Sequence, residues 1–471
     1  MNRFLLWILV LFGVKSLVLS QNHLSFFFQD NEWASTLIGI SVKEVSTQKI
    51  IFEKNSHLSL CPASTFKLMT TAAALEKLGA NFRFKTEIFY TGEIKNKTLM
   101  GDLIVKGYGD PTIESRFFQG PSLQDMVRLI QNKGIEKITG NIVIDNSYFN
   151  PKVPDNWVWE DINNYYAAVP HPINILDNEF HIYLQSGKEN APVSILKIEP
   201  QYQTSPFLEI THNELIARQG GDDAYIYGDP QGYQKRLRGS IPPFQKEYSI
   251  EGALPDPARM FAQKLTEGLL SASIVLTKRQ GLVINTDTLN YKKAVLLGSI
   301  TSPPLSEIIR VMNLHSVNLL AESMIYALGK GNYKNGKELL RSFLKQSGLN
   351  MNELYVDDGC GLSRVNSLSV DVLSQLLVQM YQSVHKETFI HSLPIAGESG
   401  TMKRFAETSP LKGNLKCKTG SIQRVRSYAG YLTTKTGRLF AFAIIFNNLN
   451  SSSEKVKNTL RKFLETLYHN F

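Results

Sequence analysis

Two largely apolar, β-rich runs separated by polar residues predict a strand hairpin near the start of the chain. Residues 36–45 and 49–53 are β-rich runs, and the polar residues Ser46-Thr47-Gln48 separate them. A helix-forming stretch, 68–78, follows shortly afterwards and ends at Gly79, a residue typical of helix C-caps. The first eighty residues therefore predict a hairpin that leads into a helix.

A second hairpin and a closing helix are predicted at the other end. The strands 427–433 and 439–446 flank Lys435-Thr436-Gly437, where glycine suits a turn with positive φ. Residues 455–468 carry apolar side chains at helical spacing. A helix lying on a membrane is the alternative, but packing on the sheet is favoured because the segment directly follows a strand. The β-rich ends of the chain are expected to pair in one antiparallel sheet.

The pattern changes between residues 84 and 283. Short strands alternate with helices predicted at 123–132 and 257–270, and proline and aromatic residues are frequent from Trp157 to Pro172. The whole span resembles an insertion into a domain formed by the two ends. A length of 471 residues, 43% of them apolar, is consistent with two or three domains.

The first twenty residues predict a secretory signal peptide. Arg3 precedes an apolar run that is too short to span a bilayer, and small residues lead to Ser20. An uncleaved anchor is the alternative. We expect an exported protein of the periplasm or cell envelope, without a stable transmembrane segment after processing. The net charge of the full chain, +9, is compatible with binding to an anionic envelope polymer. The sequence has no dense run of Lys and Arg that would indicate nucleic-acid binding.

The first candidate for chemistry is the pair Ser64 and Lys67. A spacing of three places both side chains on one face of a helix, so the amine can reach the hydroxyl as base to nucleophile. The pattern alone is weak, because six other copies occur. They begin at Ser46, Ser194, Ser342, Ser383, Ser409 and Ser452. Only the Ser64 copy opens a long apolar helix after a hairpin and is followed by two further matching pieces.

Those two pieces lie in the last third of the chain. Ser316 and Asn318 are predicted on a short connection between helices 306–312 and 319–328. Lys418-Thr419-Gly420-Ser421 approaches a strand, where Gly420 lets a substrate backbone come close and its neighbours offer charge and hydroxyls. The second Lys-Thr-Gly, at Lys435, is predicted to be an ordinary turn.

Other chemistry finds little support. Cys61, Cys360 and Cys417 are too few for a disulfide scaffold, and we leave open whether two of them pair or all are apolar fillers. No histidine or cysteine spacing typical of a metal site occurs, and a phosphate-loop-like stretch, 331–337, lacks the magnesium-binding hydroxyl. We expect no metal and no cofactor.

The order Ser-x-x-Lys, Ser-x-Asn, Lys-Thr-Gly resembles the penicillin-binding proteins and serine β-lactamases. The long separation of Ser64 from Ser316 resembles the D-alanyl-D-alanine carboxypeptidase/endopeptidase branch of the peptidase S13 type, the low-mass class C penicillin-binding proteins. Further stretches that support this branch begin at Gly109, Asp358, Leu393 and Ser427.

The resemblance implies an α+β fold, with an antiparallel sheet flanked by helices and interrupted by mixed α/β insertions. The expected boundaries are 1–20 for the signal, 21–83 with 284–471 for the catalytic domain, 84–165 with 251–283 for a first inserted domain and 166–250 for a second. Ser64 would open the central helix, and the strand of Lys418 would line the edge of the cleft.

The resemblance also implies the activity, a serine DD-carboxypeptidase with possible endopeptidase action on cross-links. Ser64 would attack the carbonyl and Lys67 take its proton. Ser316 would protonate the leaving amine, and Asn318 would hold the substrate amide. Thr419 and Ser421 would bind the terminal carboxylate beside Lys418. Partners would be peptidoglycan stem peptides and β-lactams as covalent inhibitors, with the oligomeric state open. A β-lactamase or esterase on this scaffold and a non-catalytic muropeptide-binding protein are the alternatives.

Overall fold

The structure is a computed structural model that describes residues 24–29 and 31–471. The predicted signal peptide, 1–20, lies outside the described residues. The chain divides into two compact units. The first comprises residues up to Ala80 together with Ile309–Ser316 and Glu338–Phe471, and the second comprises Asn81–Ile308 and Val317–Lys337. The four-part set of domain boundaries given above stays a prediction.

The strands are short and are distributed along the chain. In chain order, β1 to β22 span Leu37–Glu44, Ile50–Lys54, Lys85–Tyr90, Glu93–Lys95, Thr98–Met100, Leu103–Gly107, Lys137–Ile138, Ile142–Asp145, Glu179–Gln185, Ser194–Glu199, Glu209–Ala217, Tyr225–Tyr227, Gln234–Ile241, Tyr248–Ala253, Val275–Leu276, Leu282–Ile284, Val295–Thr301, Leu354–Tyr355, Ser367–Leu368, Leu415–Ile422, Val425–Thr433 and Leu439–Asn447.

The helices are α1 to α9 in chain order. They span Lys67–Leu78, Leu123–Asn132, Pro257–Ser271, Leu305–His315, Asn318–Leu328, Tyr333–Gln346, Val370–Gln382, Lys386–His391 and Ser453–Asn470. Among the described residues, no helix combines the length and the apolar composition needed to cross a bilayer.

An antiparallel five-stranded sheet forms the centre of the first unit, in the order β2-β1-β22-β21-β20. It joins the two ends of the chain, since β1 pairs with β22 over its full length. Both predicted hairpins are present, and the α+β fold with helices flanking an antiparallel sheet is confirmed. Strand β20 lies at the edge.

Residues of β1 alternate between the two faces of this sheet. Ile40 and Val42 join the apolar core that also contains the inward side chains of α9. On the opposite face, Ser41 lies 2.8 Å from Ser374 of α7, and Lys43 pairs with Asp371 at 2.8 Å. The period of two therefore allows helices to cover both faces.

The amphipathic helix predicted at 455–468 is α9. Its apolar side chains are buried in the core of the first unit, and they are Val456, Leu460, Phe463, Leu464 and Leu467. Packing on the sheet, rather than a position on a membrane surface, is confirmed for this helix.

The second unit has several smaller sheets around a core of its own. They are a mixed five-stranded sheet, β16-β8-β6-β3-β17, and the sheets β15-β7-β5-β4, β10-β9-β14 and β11-β13-β12. Helices α2 and α3 contribute Met126, Ile130 and Phe261 to this core. Helix α2 has the predicted bounds because Ser122 and Asp125 form a capping box at its start.

Candidate active site

Ser64 lies in a turn immediately before α1 rather than within the helix. Residues Ala63–Phe66 form a 3₁₀ turn, and Ala63 has a φ of +47°, a conformation that costs energy for a residue with a side chain. The backbone of Cys61 is held by a two-way contact with Asn447 of β22, at 2.8 and 3.0 Å. These contacts fix the chain on the approach to Ser64.

Lys67, the first residue of α1, is fully buried with its amine directed to the serine. Its Nζ donates to Ser64 Oγ at 3.0 Å and to the carbonyl oxygen of Cys360 at 2.7 Å. The predicted one-turn spacing therefore brings nucleophile and amine into hydrogen-bond contact. Such contact is the geometric requirement for a base that activates a serine.

The carbonyl of Cys360 belongs to a loop organised by Asp358. The buried carboxylate of Asp358 accepts from the backbone N–H groups of Gly361 at 2.7 Å and Ser363 at 2.6 Å. Thr70 of α1 also donates to the carbonyl of Gly359 at 2.6 Å. The loop thus holds the carbonyl oxygen of Cys360 against the amine of Lys67. Because this acceptor is a backbone atom, no side-chain motif in the sequence predicts it.

A second buried lysine lies on the edge strand. Lys418 is within β20, and its Nζ donates to Ser316 Oγ at 2.9 Å and to the carbonyl of Thr419 at 2.6 Å. Burial, and then the charge of Lys67, hold the pKa of Lys418 well below its usual range. Two buried amines that repel each other favour a state in which at least one is neutral.

Ser316 occupies the connection between α4 and α5, as predicted, with a φ of +61°. Helix α4 is anchored just before it by the buried Asn313. The side-chain amide of Asn313 donates to Thr71 of α1 at 3.1 Å and to Ser392 at 2.9 Å. This anchor, which the sequence analysis missed, ties the segment of Ser316 to the helix of Lys67.

Gly420 is required because β20 runs close to the serine turn. A Cβ at this position would lie 2.9 Å from the backbone nitrogen of Ser64 and 2.1 Å from Ser427 Oγ. Ser427 in turn accepts from Thr65 at 3.1 Å. The Lys-Thr-Gly strand and the Ser64 N–H are thereby held side by side, the arrangement needed for two backbone donors to share one oxygen.

The remaining predicted residues lie in different places. Thr419 is half-buried and donates to Thr401 Oγ1 at 2.8 Å, and Ser421 is exposed further along β20. Asn318 belongs to the second unit, where it is the first residue of α5 and donates to the carbonyl of Tyr166 at 2.6 Å. The expectation that Asn318 lies on the connection is corrected: the helix starts at Asn318 and includes it. The structure brings Ser64, Lys67, Ser316 and Lys418 together within the first unit.

The three cysteines are free thiols. Burial raises the pKa of the Cys417 thiol to about 12, so it is protonated at neutral pH. Cys61 is partly buried and Cys360 fully buried. The alternative of apolar fillers agrees with this structure.

A serine in contact with a buried amine, a second serine–lysine pair in the same unit and a close-lying edge strand are the parts expected of a serine hydrolase. The family comparison agrees. The model of the D-Ala-D-Ala carboxypeptidase 3 (S13) family matches residues 20–468, and the chain belongs to this family. It is accordingly an enzyme of the serine-type D-Ala-D-Ala carboxypeptidase class.

Curated relatives extend over most of the chain. The D-alanyl-D-alanine carboxypeptidase DacB of Haemophilus influenzae is 26% identical over 453 residues, covering 92% of this chain and 90% of its own length. The D-alanyl-D-alanine carboxypeptidase of Actinomadura sp. is 25% identical, covering 89% and 79%. Penicillin-sensitive carboxypeptidase A of Dictyostelium discoideum is 26% identical, covering 84% and 80%.

Solved structures agree on the fold. Penicillin binding protein 4 (dacB) of Haemophilus influenzae matches with a TM-score of 0.79 at 23% identity, covering 95% of this chain and 99% of that one. A predatory endopeptidase of Bdellovibrio bacteriovorus matches with a TM-score of 0.52 at 17% identity, covering 92% and 93%. At these identities the likeness concerns the fold alone.

Proposed function

We propose that the chain is a penicillin-sensitive DD-carboxypeptidase that cleaves D-Ala-D-Ala ends of peptidoglycan stem peptides through an acyl-enzyme on Ser64. The contact of 3.0 Å between Lys67 Nζ and Ser64 Oγ is the observation that carries this proposal. Cross-linked stem peptides are a second proposed substrate, cleaved by the same acylation as an endopeptidase reaction.

Acylation begins at Ser64. Its Oγ forms a bond to the carbonyl carbon of the penultimate D-Ala, and its proton moves to Lys67. The Lys67 amine is neutral at this stage because the substrate carboxylate holds the proton of the amine pair on Lys418. The backbone N–H groups of Ser64 and Ser421 would share the negative oxygen. The close approach of Gly420 to the Ser64 nitrogen supports this oxyanion site, because a side chain at 420 would fill the space between the strand and the turn.

The leaving amine requires a proton when the C–N bond breaks. Ser316 would give its proton to this amine and regain one from Lys418, whose Nζ is 2.9 Å from the Ser316 hydroxyl. Water then attacks the ester carbon, and its proton passes through Ser316 to the neutral Lys418. The C–Oγ bond breaks, and Lys67 returns its proton to Ser64, which restores both lysines to their starting states. Ser64 and Ser316 thus each have a lysine amine within hydrogen-bond distance. This arrangement suits proton transfer between serine and lysine both in acylation and in deacylation.

Recognition would use the terminal carboxylate. Thr419 and Ser421 would offer hydroxyls, and the arriving negative charge would favour the protonated form of Lys418, opposing the effect of burial. Asn318 would hold the substrate amide. This chemistry also suits β-lactams, which present a carboxylate beside a reactive amide and would acylate Ser64 as inhibitors. Export to the periplasm or cell envelope, where such peptides occur, is part of the proposal.

The test measures the intact mass of the protein over time with benzylpenicillin, and release of D-Ala from an N-acylated peptide ending in L-Lys-D-Ala-D-Ala. The expected result is one persistent penicilloyl adduct on Ser64 and steady D-Ala release. Ser64→Ala should lose both. The matched control is Ser409→Ala, since Ser409 begins another Ser-x-x-Lys copy but its hydroxyl accepts from the backbone nitrogen of Leu411. This control should retain both.

Other results would contradict the proposal. An adduct that disappears as penicillin is consumed would indicate a β-lactamase. Peptide binding without adduct or D-Ala release would indicate a non-catalytic binding protein. Normal turnover by Ser64→Ala would remove the serine from the mechanism altogether.

A further inference from the structure

Thr419 has a partner that the proposed mechanism does not use. Its hydroxyl donates to Thr401 Oγ1 at 2.8 Å, across a separation of 18 residues in sequence. Thr401 is exposed and lies in the short 3₁₀ turn Gly400–Met402. A contact of this length between two hydroxyls is a good hydrogen bond. Thr401 therefore lies within hydrogen-bond distance of the residue proposed to bind the substrate carboxylate, Thr419.

The backbone of Thr401 is fixed on both sides. Gly400 has a φ of +54° and packs so closely on α4 that a Cβ would lie 2.6 Å from the carbonyl oxygen of Leu314. Met402 is buried in the core of the first unit. An exposed polar residue between two anchored neighbours keeps its position, so Thr401 presents its hydroxyl to β20 in a defined place.

The segment that carries Thr401 also covers part of the edge strand. The backbone nitrogen of Cys417 donates to the carbonyl of Pro394 at 2.8 Å, and Ile395 forms a bridge with Lys416. Thr401 contacts the strand again at Thr419, two residues further along β20. The segment therefore follows the strand as far as the proposed carboxylate site and places a hydroxyl against it.

The number of hydroxyl hydrogens available suggests a function for the contact between Thr419 and Thr401. A hydroxyl has one hydrogen, so a Thr419 hydroxyl that donates to Thr401 has none left for a carboxylate. Thr401 has a hydrogen of its own, for which the described residues show no acceptor. Rotation of both hydroxyls reverses the bond: Thr401 donates to Thr419, and Thr419 donates to the carboxylate. Hydrogen bonds in such a chain strengthen one another.

We infer that Thr401 is a positioning residue for the terminal carboxylate of the substrate, acting through the hydroxyl of Thr419. The inference rests on the proposed function, because it needs Thr419 to bind that carboxylate. Thr401 itself does not touch the substrate in this scheme. It orients and polarises the hydroxyl that does, and its effect should disappear when that hydroxyl is removed.

The experiment is a double-mutant cycle on kcat/KM for D-Ala release from the L-Lys-D-Ala-D-Ala peptide. Thr401→Val keeps the shape of the side chain and removes the hydroxyl. It should lower kcat/KM about fivefold, as expected for the loss of one hydrogen bond. In a Thr419→Val background the same change should alter kcat/KM by less than about 1.5-fold, since two groups that act as a unit are not additive.

Two further variants make the result specific. Thr401→Ser restores a hydroxyl and should lie within about twofold of the wild type. Thr436→Val is the matched control, because Thr436 also lies 3.2 Å from another threonine hydroxyl, that of Thr434, in the turn of the second Lys-Thr-Gly. It should leave kcat/KM unchanged.

The possible outcomes separate this inference from the proposed function. Equal fivefold losses for Thr401→Val in both backgrounds would overturn the inference, as would an unchanged kcat/KM in the wild-type background. In both of those cases a loss caused by Thr419→Val alone would leave the carboxylate role of Thr419 standing. If Thr419→Val has no effect on kcat/KM, the proposed role of Thr419 fails and the inference fails with it.

Discussion

Lys418 Nζ lies 2.9 Å from Ser316 Oγ, inside a site where the lysine is fully buried. An amine in this place must lose most of its hydration, and the positive charge of Lys67 nearby adds repulsion. An apolar side chain of similar size would therefore be expected to give a more stable fold at this position than the buried lysine does. We expect Lys418 to lower the free energy of unfolding and to be retained because the reaction needs it.

The first prediction concerns the stability cost of Lys418. Its pKa is lower in the folded state than the unfolded value of 10.5, so unfolding takes up a proton and becomes easier as pH falls below 10.5. Lys418→Met should therefore raise the thermal-unfolding midpoint at pH 7. We expect a gain on the order of 1–4 kcal/mol, the range found when a buried ion pair is replaced by apolar residues of similar volume. Acylation by benzylpenicillin should be lost.

The pH dependence supplies the control for that prediction. The gain in stability of Lys418→Met over the wild type should shrink as pH rises toward 10.5. Above that pH the wild-type lysine is neutral in both the folded and the unfolded protein. Midpoints measured at pH 7 and pH 9.5 give the comparison. A stability advantage that grows with pH would contradict the lowered pKa of Lys418. A methionine variant less stable than the wild type at both pH values would show that the hydrogen bonds of Lys418 to Ser316 and Thr419 outweigh the cost of burying the amine.

A second prediction uses the two Lys-Thr-Gly copies. Gly420→Ala places a methyl group 2.9 Å from the Ser64 nitrogen and 2.1 Å from Ser427 Oγ, so strand and turn must separate. Since loss of one oxyanion donor typically costs about 10²–10³ in rate, acylation by benzylpenicillin should fall by about that factor. Stopped-flow or quenched mass measurements of the acylation rate would check this.

Gly437→Ala is the matched control. Gly437 has a φ of +83°, and a Cβ there would meet no atom within 4 Å. The change should reduce stability by about 1 kcal/mol through backbone strain and leave the acylation rate as it was. Equal acylation rates for the two alanine variants would contradict the assignment of Gly420 to the oxyanion site.

Sequence patterns predicted those parts of the protein whose causes are local. The Ser64–Lys67 contact follows from helical spacing, and the turn at Gly437 follows from its flanking strands. Each depends on residues fewer than about ten positions apart. The pairing of β1 with β22 could be expected only because both ends are β-rich.

Features that depend on distant contacts or on backbone atoms were not predicted. The carbonyl of Cys360 accepts from Lys67, yet any residue type has a carbonyl. Thr401 meets Thr419 only because its segment folds along β20. The start of α5 at Asn318 was also misplaced, because helix ends shift by one or two residues with their capping contacts.

A third prediction concerns the free thiols. In denaturant without reductant, all three cysteines should react with iodoacetamide and add three carbamidomethyl groups to the intact mass. In the native protein Cys417 should remain unmodified, because it is buried and its pKa is raised to about 12. A reductant-treated sample is the control. Fewer than three additions in denaturant, restored to three by reductant, would demonstrate a disulfide.

The last prediction concerns the buried Asp110 of the second unit. Its Oδ1 accepts from the backbone nitrogen and the hydroxyl of Thr112, at 2.9 and 2.6 Å, whereas Oδ2 has no partner among the described residues. Burial raises the pKa of this carboxyl to about 6, from an ordinary value of 3.8. The folded protein therefore binds a proton here that the unfolded chain releases.

The sign of the effect follows from that difference. The stability contributed by the proton is fully present below pH 3.8 and is lost as pH rises through 6. Asp110→Asn does not titrate, so its stability relative to the wild type should increase by about 2.4 kcal/mol between pH 4 and pH 7.5. Hydrogen exchange of the β6 amides at several pH values would measure this, with Asp155→Asn, at an exposed position, as the control for a lost surface carboxylate. Parallel pH profiles for Asp110→Asn and the wild type would show that Asp110 is ionised in the folded protein and that its Oδ2 is solvated.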